Sequence, residues 1–335
     1  MGRLLERRWV VMLSRTRKVW ILTAAALLAA AALFVPAVQA AGKGNKWIAL
    51  RYRFEPGQKL DYKINMTMSA QNPDGASMNV DMDTNLRMNV SDVDSNGAAT
   101  VTMALDEMNM DMQTMGQSVN MRMGASGMKL YSGGQILYDS STTGGAGQSP
   151  MGDIPGFGGM MDQKLFRQGI TATITKLGET TIEETVSTPG QDAMDYEMFE
   201  QVLLPEKLVR PGDTWATDIP IPGLAGPGSK SAELTGQTVL ESIETFNGRL
   251  CARNVMQIDA NLSQLALGQQ GFPGMNLPKM RLTGQITTYF DIEGGYVRRE
   301  SGEFSMNMGG GGSAGGQDLG AGATMRITTS MESRE

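Results

Sequence analysis

The stretch "MNVDMDTNLRMNV", Met78 to Val90, decides how the rest of the chain is read. Its even positions are Met78, Val80, Met82, Thr84, Leu86, Met88 and Val90. Its odd positions are Asn79, Asp81, Asp83, Asn85, Arg87 and Asn89. A period of two puts each set on its own side of an extended strand. One side is apolar, the other polar, as in an antiparallel strand with one face buried.

The same alternation extends both ways. Before it, Leu60, Tyr62, Ile64, Met66 and Met68 alternate with polar residues, and "QNPDGAS" supplies the turn between the two runs. After it, Asn96-Gly97 predicts a hairpin. Val101, Met103 and Leu105 then follow on odd positions, but Met108, Met110 and Met112 on even ones. The phase slips at Asp106-Glu107, which predicts a bulge, because a one-residue slip otherwise turns a strand inside out. Further hairpins are expected at Gly133-Gly134, Gly178-Glu179, Asn247-Gly248 and Gly294-Gly295. The Gly- and Pro-rich runs "STTGGAGQSPMGDIPGFGGMM", "GQQGFPGMNLP" and "GGGGSAGGQDLGAG" read as loops.

One helix is expected, over Asp192–Leu204, with Met194, Met198 and Val202 on one face, Asp192 at its start and Pro205 at its end. The predicted fold class is mainly β: curved antiparallel sheet or sheets with one central helix. The sections are a Met-rich one (41–190) and a second one (191–335). "FEPGQKLDYKINM" and "VRPGDTWATDIPI" each place Pro-Gly ahead of a strand, so two similar halves side by side are one form of this expectation.

Residues 1–40 read as a secretory signal helix outside the fold. Arg15, Arg17 and Lys18 precede a long apolar run, and Val38-Gln39-Ala40 is a small-residue cleavage site, placing the cut between Ala40 and Ala41. Retention as a membrane anchor is the alternative, since the run nears a spanning length. Residues 41–335 carry 23 basic and 34 acidic side chains, a net of −11. Such a chain, lacking a basic stripe, is a poor partner for nucleic acid or anionic lipid heads.

Most familiar chemistry is missing. With no His in the sequence, Ser-His and Cys-His catalysis and His-bearing zinc sites are excluded. Cys251 is the only cysteine, so no internal disulfide forms. The Gly runs lack the Lys-Ser or Lys-Thr of a phosphate loop. Asp81 and Asp83 fall on the polar strand face. No catalytic residue, metal site or cofactor is predicted.

Thirteen methionines lie between Met66 and Met128, and three readings of them stand open. Met can serve as the gap-filling apolar residue of a sheet. A soft Met face can line a groove for a hydrophobic ligand, with Met108, Met110, Met112, Met121 and Met123 as the binding residues. The Met-x-Met pairs among these five also have the spacing of a thioether site for Cu(I).

At "LPEKLVRPGDTW" (Leu204 to Trp215) the chain resembles a group of exported bacterial β-rich proteins of unknown function. The shared features are Leu204-Pro205, Pro-Gly-Asp-x-Trp at Pro211 to Trp215, Phe290-Asp291 to Gly294, and the opening "RYRFEPGQKLDYKI". The resemblance implies an exported envelope protein and no reaction; the Met-rich tract and Gly loops depart from it. The functional expectation is therefore a non-catalytic protein, periplasmic or extracellular, with a binding or structural role. Its partner would be a hydrophobic ligand or an envelope protein, and it would touch the membrane only through the signal segment. A periplasmic lipid carrier is the first alternative and Cu(I) binding the second.

Overall fold

The computed structural model describes residues 46–71, 77–114, 117–141, 163–182, 201–221, 232–261, 279–309, 313–314, 317–318 and 323–334. Met78 to Val90 lies within one long strand, β2 (Ser77–Val93), flanked by β1 (Lys59–Gln71) and β3 (Ala99–Thr114). The strands β4 (Gln117–Gly124), β5 (Gly127–Ser132) and β6 (Gln135–Asp139) carry this meander outward. Beside the first half of β3 lie β7 (Ile170–Ile174) and β8 (Thr180–Ile182), preceded by a short helix, α1 (Gln163–Arg167).

The second section runs the other way. It begins at the far edge with β9 (Thr214–Ile221) and steps inward through β10 (Ala232–Phe246), β11 (Arg249–Asn261), β12 (Lys279–Asp291) and β13 (Tyr296–Gly309). Two-residue strands β14 (Ser313–Ala314) and β15 (Gln317–Asp318) pair off the main sheet. The last strand, β16 (Ala323–Arg334), pairs with both β13 and β1. Among the described residues all main-sheet strands thus form one antiparallel sheet of 14 strands. The expectation of a mainly β, antiparallel fold holds in this form: two meanders zipped into one sheet through β1 and β16, rather than two sheets side by side.

The phase slip is a bulge. Thr84 faces Met108 and Leu86 faces Leu105, so Asp106 and Glu107 together oppose Asn85. The buried Thr84 hydroxyl donates to the Glu107 carbonyl at 2.8 Å, and Arg87 pairs with Asp106 on the outer side. The bulge also marks where β3 changes partners, from β7 (Met103 opposite Ile170) to β4 (Glu107 opposite Gly124). The Asn247-Gly248 hairpin has both residues left-handed, at φ 47° and 76°, the pairing that matches strand twist.

The expected signal helix, and residues 192–200 of the expected Asp192–Leu204 helix, lie outside the described residues. Gln201–Leu204 carry no helix; the Leu204 N–H donates to the Leu177 carbonyl at 2.8 Å in the turn between β7 and β8. Among the described residues no helix is long and apolar enough to cross a membrane.

The register puts Leu60, Tyr62, Ile64, Met66 and Met68 of β1 on one face with the even residues of β2 and the odd residues of β16. This inner face carries the main buried cluster, whereas Asp61, Lys63 and Thr67 opposite are exposed. Residues 46–57 close one end. Ile48 pairs with Val209, the Tyr52 N–H donates to Lys176 O at 2.9 Å, and the Arg53 N–H donates to Gly295 O at 3.0 Å. One short segment thereby ties both sections together. At Gly295 (φ 69°) a Cβ would stand 2.5 Å from the Arg53 nitrogen, so only glycine admits the crossing.

Candidate functional site

The five methionines singled out from the sequence do come together. Met108 lies opposite Met123, Met110 opposite Met121, and Met112 opposite Val119, all on the inner face. Met82 and Val80 of β2 flank Met110 and Met112 on the other side. Exposure is 3% at Met108, 1% at Met110, 5% at Met112, 0% at Met121 and 4% at Met123. These side chains are packed interior. No group of three or more His, Cys, Asp or Glu side chains able to hold a metal occurs among the described residues.

The inner face stays accessible elsewhere, at the seam where the two sections join. Ile64 of β1, Met82 of β2, Met331 and Thr329 of β16 and Glu300 of β13 are half-buried, although the residues around them are buried. Pairing makes this one patch: Ile64 faces Met331, Met331 faces Glu300, and Met66, buried, sits between Met82 and Thr329. The floor beside Glu300 is low. Gly302 and Gly284 supply no side chain, and the Phe304 ring lies across both. A Cβ at Gly284 would stand 2.5 Å from the ring, and one at Gly302 2.9 Å from it.

Glu300 is the anomaly. It sits on the apolar side of β13, in line with Phe304 and Met306. Water touches part of it, yet protein surrounds it at depth. Burial pushes its carboxyl up to about 7, and the Thr288 hydroxyl, donating at 3.3 Å, opposes the rise. Thr288 lies directly opposite Glu300, and Asn254 of β11 directly opposite Thr288, so three polar residues form a row across the inner face. Asn254 is 2% exposed, and among the described residues neither polar atom of its amide has a hydrogen-bond partner. Sequence reasoning missed this row. For Glu300 a signal existed: counting back by twos from Met306 through Phe304 and Gly302 lands the charge on the apolar face. For Asn254 none did, because Cys251, Ala252, Val255 and Met256 make both faces of β11 apolar.

Next to the row, Asp291 and Arg298 form a pair at 3.1 Å with side chains 1% and 3% exposed. Asp291 accepts the Glu293 and Gly294 N–H groups at 3.0 and 2.7 Å, and Arg298 donates to the Tyr296 hydroxyl at 3.0 Å. This pair builds the hairpin between β12 and β13. Burial holds the phenols of Tyr52 and Tyr62 above their ordinary range, and Tyr52 donates to Val202 O at 3.2 Å. The Pro-Gly-Asp-x-Trp stretch is a turn of the same kind. The Asp213 carboxylate accepts the Arg210 N–H at 3.0 Å, and the Trp215 indole donates to Leu203 O at 3.2 Å.

No protein-family model and no curated protein matches the chain. Among solved structures, one titled for lipid–protein interactions in lipovitellin aligns with a TM-score of 0.32 and 7% identity, over 84% of this chain and 26% of that one. The chain therefore spans about a quarter of that protein's length. DynF from the dynemicin biosynthesis pathway of Micromonospora chersina aligns with a TM-score of 0.23 and 10% identity, over 90% and 93% of the two chains. The translocator domain of the autotransporter NalP from Neisseria meningitidis gives 0.22 and 8%, over 83% and 89%. At these TM-scores neither a shared fold nor a shared function follows.

Proposed function

We propose that this is an exported, non-catalytic binding protein of the bacterial envelope, which holds a hydrophobic ligand against the inner face of its sheet. The observation that carries the reading is the half-buried patch of Ile64, Met82, Thr329, Met331 and Glu300 on a face otherwise buried. A sheet that needed only a core would fill this position. Accessible apolar side chains with a few polar groups among them are what small-molecule sites are made of. Two of the five are methionines, whose flexible thioethers fit ligands of variable shape. Export rests on the signal-like residues 1–40 and the small-residue site before Ala41. Kinship with the exported β-rich group rests on the Pro211–Trp215 turn and the Phe290–Gly294 hairpin.

The test is native mass spectrometry of the protein purified from envelope fractions, with N-phenylnaphthylamine fluorescence as a second readout. The expected result is a hydrophobic adduct, or saturable probe binding that an Ile64→Trp, Met331→Trp double variant loses while staying folded. A protein with neither adduct nor probe binding would refute the reading. The facing Met108–Met123 and Met110–Met121 pairs support a second reading, Cu(I) held by thioethers. It predicts Cu(I) affinity that falls in a Met110→Leu, Met121→Leu variant.

A further inference from the structure

The row Asn254–Thr288–Glu300 leads from the patch into the second section, and it has a chemical polarity of its own. Buried amides are almost always hydrogen-bonded, and an unpaired one is costly. Asn254 presents an N–H donor and a carbonyl acceptor to the inner face, and none of the described residues satisfies either. Thr288 already donates to Glu300, and Thr217 and Thr238 bond each other at 3.0 Å. With these neighbours engaged, the Asn254 amide is left to water or to a bound molecule. One that answers both orphaned atoms needs an acceptor and a donor side by side, which is the pattern of another amide.

Glu300 sets the second constraint. Its carboxyl lies one strand from Thr288 and two from Asn254, roughly 10 Å across the sheet. Arg298, the nearest cation on β13, is already paired with Asp291. An anionic head brought into this row would meet a carboxyl and, among the described residues of the row, no cation, whereas an N–H group would meet an acceptor. From Glu300 the accessible patch runs on over Met331 and Ile64 to Met82, three strands or roughly 14 Å. That length is apolar.

We infer that the ligand is an uncharged, amide-headed amphiphile: its carboxamide pairs with Asn254 near Glu300, and its single apolar chain lies over Met331, Ile64 and Met82. The inference rests on the proposed function, since it places a head group at the same inner-face site.

The test is displacement of N-phenylnaphthylamine from the purified protein by decanamide, decanoate and methyl decanoate, ligands with similar chains and different heads. The amide should displace the probe at about tenfold lower concentration than either of the others. In Asn254→Leu the amide's advantage over decanoate and methyl decanoate should fall to within about twofold, each displacement being scaled by the probe affinity measured for that variant. Replacing an unpaired amide by an apolar group of similar size leaves the fold intact, and a urea melt verifies this. In Glu300→Gln, decanoate should gain about tenfold. An amide no better than decanoate in the wild type, or an advantage that survives Asn254→Leu, would overturn the inference while leaving a hydrophobe-binding protein. Absence of probe binding would overturn both.

Discussion

Replacing Glu300 by Gln should change how stability depends on pH. In the unfolded chain the carboxyl titrates at its ordinary 4.5, and in the folded protein burial moves it up to about 7. At ~1.4 kcal/mol for each pH unit, the gap corresponds to about 3 kcal/mol. Water reaches part of the carboxyl, and that screening reduces the expected effect to about 2 kcal/mol. Below pH 4.5 the group is neutral in both states and costs nothing. As pH rises toward 7 the unfolded chain loses its proton while the folded one keeps it, so stability falls. Above 7 the loss is complete. Gln has the same shape, can still accept from Thr288, and never ionises. Equilibrium urea unfolding of both proteins at pH 4, 6 and 8 measures the difference. The two should match at pH 4, and the variant should be about 2 kcal/mol more stable at pH 8. Tyr52, Tyr62, Tyr296, Arg298 and Asp291, which surround the site, are common to both proteins and cancel. A constant difference across the three pH values would refute the placement of Glu300 at depth on the inner face.

Three further outcomes follow from the packing. Gly284→Ala should destabilise by about 2 kcal/mol, since its Cβ would meet both Phe304 Cδ1 at 2.5 Å and the Glu303 carbonyl at 2.6 Å; thermal unfolding reads this. Met110→Leu should cost less than about 1.5 kcal/mol and Met110→Ala about 2–5 kcal/mol, as for a filled interior; equal, small losses in urea melts would contradict the burial of Met110. Cys251 is buried and its thiol is pushed up to about 11. Iodoacetamide at pH 8 should therefore modify it only as urea opens the fold, and modification in native buffer at the rate of a free thiol would contradict this.

The strands were legible because alternation is local. Met78 to Val90 carries its own evidence of which side is buried, and the slip at Asp106-Glu107 marked the bulge without any knowledge of the partner strand. The hairpins were legible through Asn-Gly and Gly-Gly. What joins to what was not. The pairing of Met66 with Thr329, or of Ile64 with Met331, links residues from opposite ends of the chain, and period-two patterning says nothing about partners. The two sections therefore read as separable, although β1 and β16 make them one sheet. The same blindness shaped the site. The Met108–Met123 cluster is legible because its residues are close in sequence, but whether it faces a groove or a core depends on what packs over it from elsewhere in the chain. The patch around Met331 and Glu300 is assembled from β1, β2, β13 and β16, so no window of sequence contains it.

The central claim is that the inner side of the β1–β16 seam is where a ligand lies, and a pair of cysteine variants on one strand tests it most directly. Met331 is half-buried on the inner face and Thr328 is exposed on the outer one, while native Cys251 is buried. Alkylation of Met331→Cys and Thr328→Cys is timed with and without saturating N-phenylnaphthylamine. Protection of position 331 alone is the predicted result; equal rates at 331 with and without the probe, despite measured probe binding, would contradict the account.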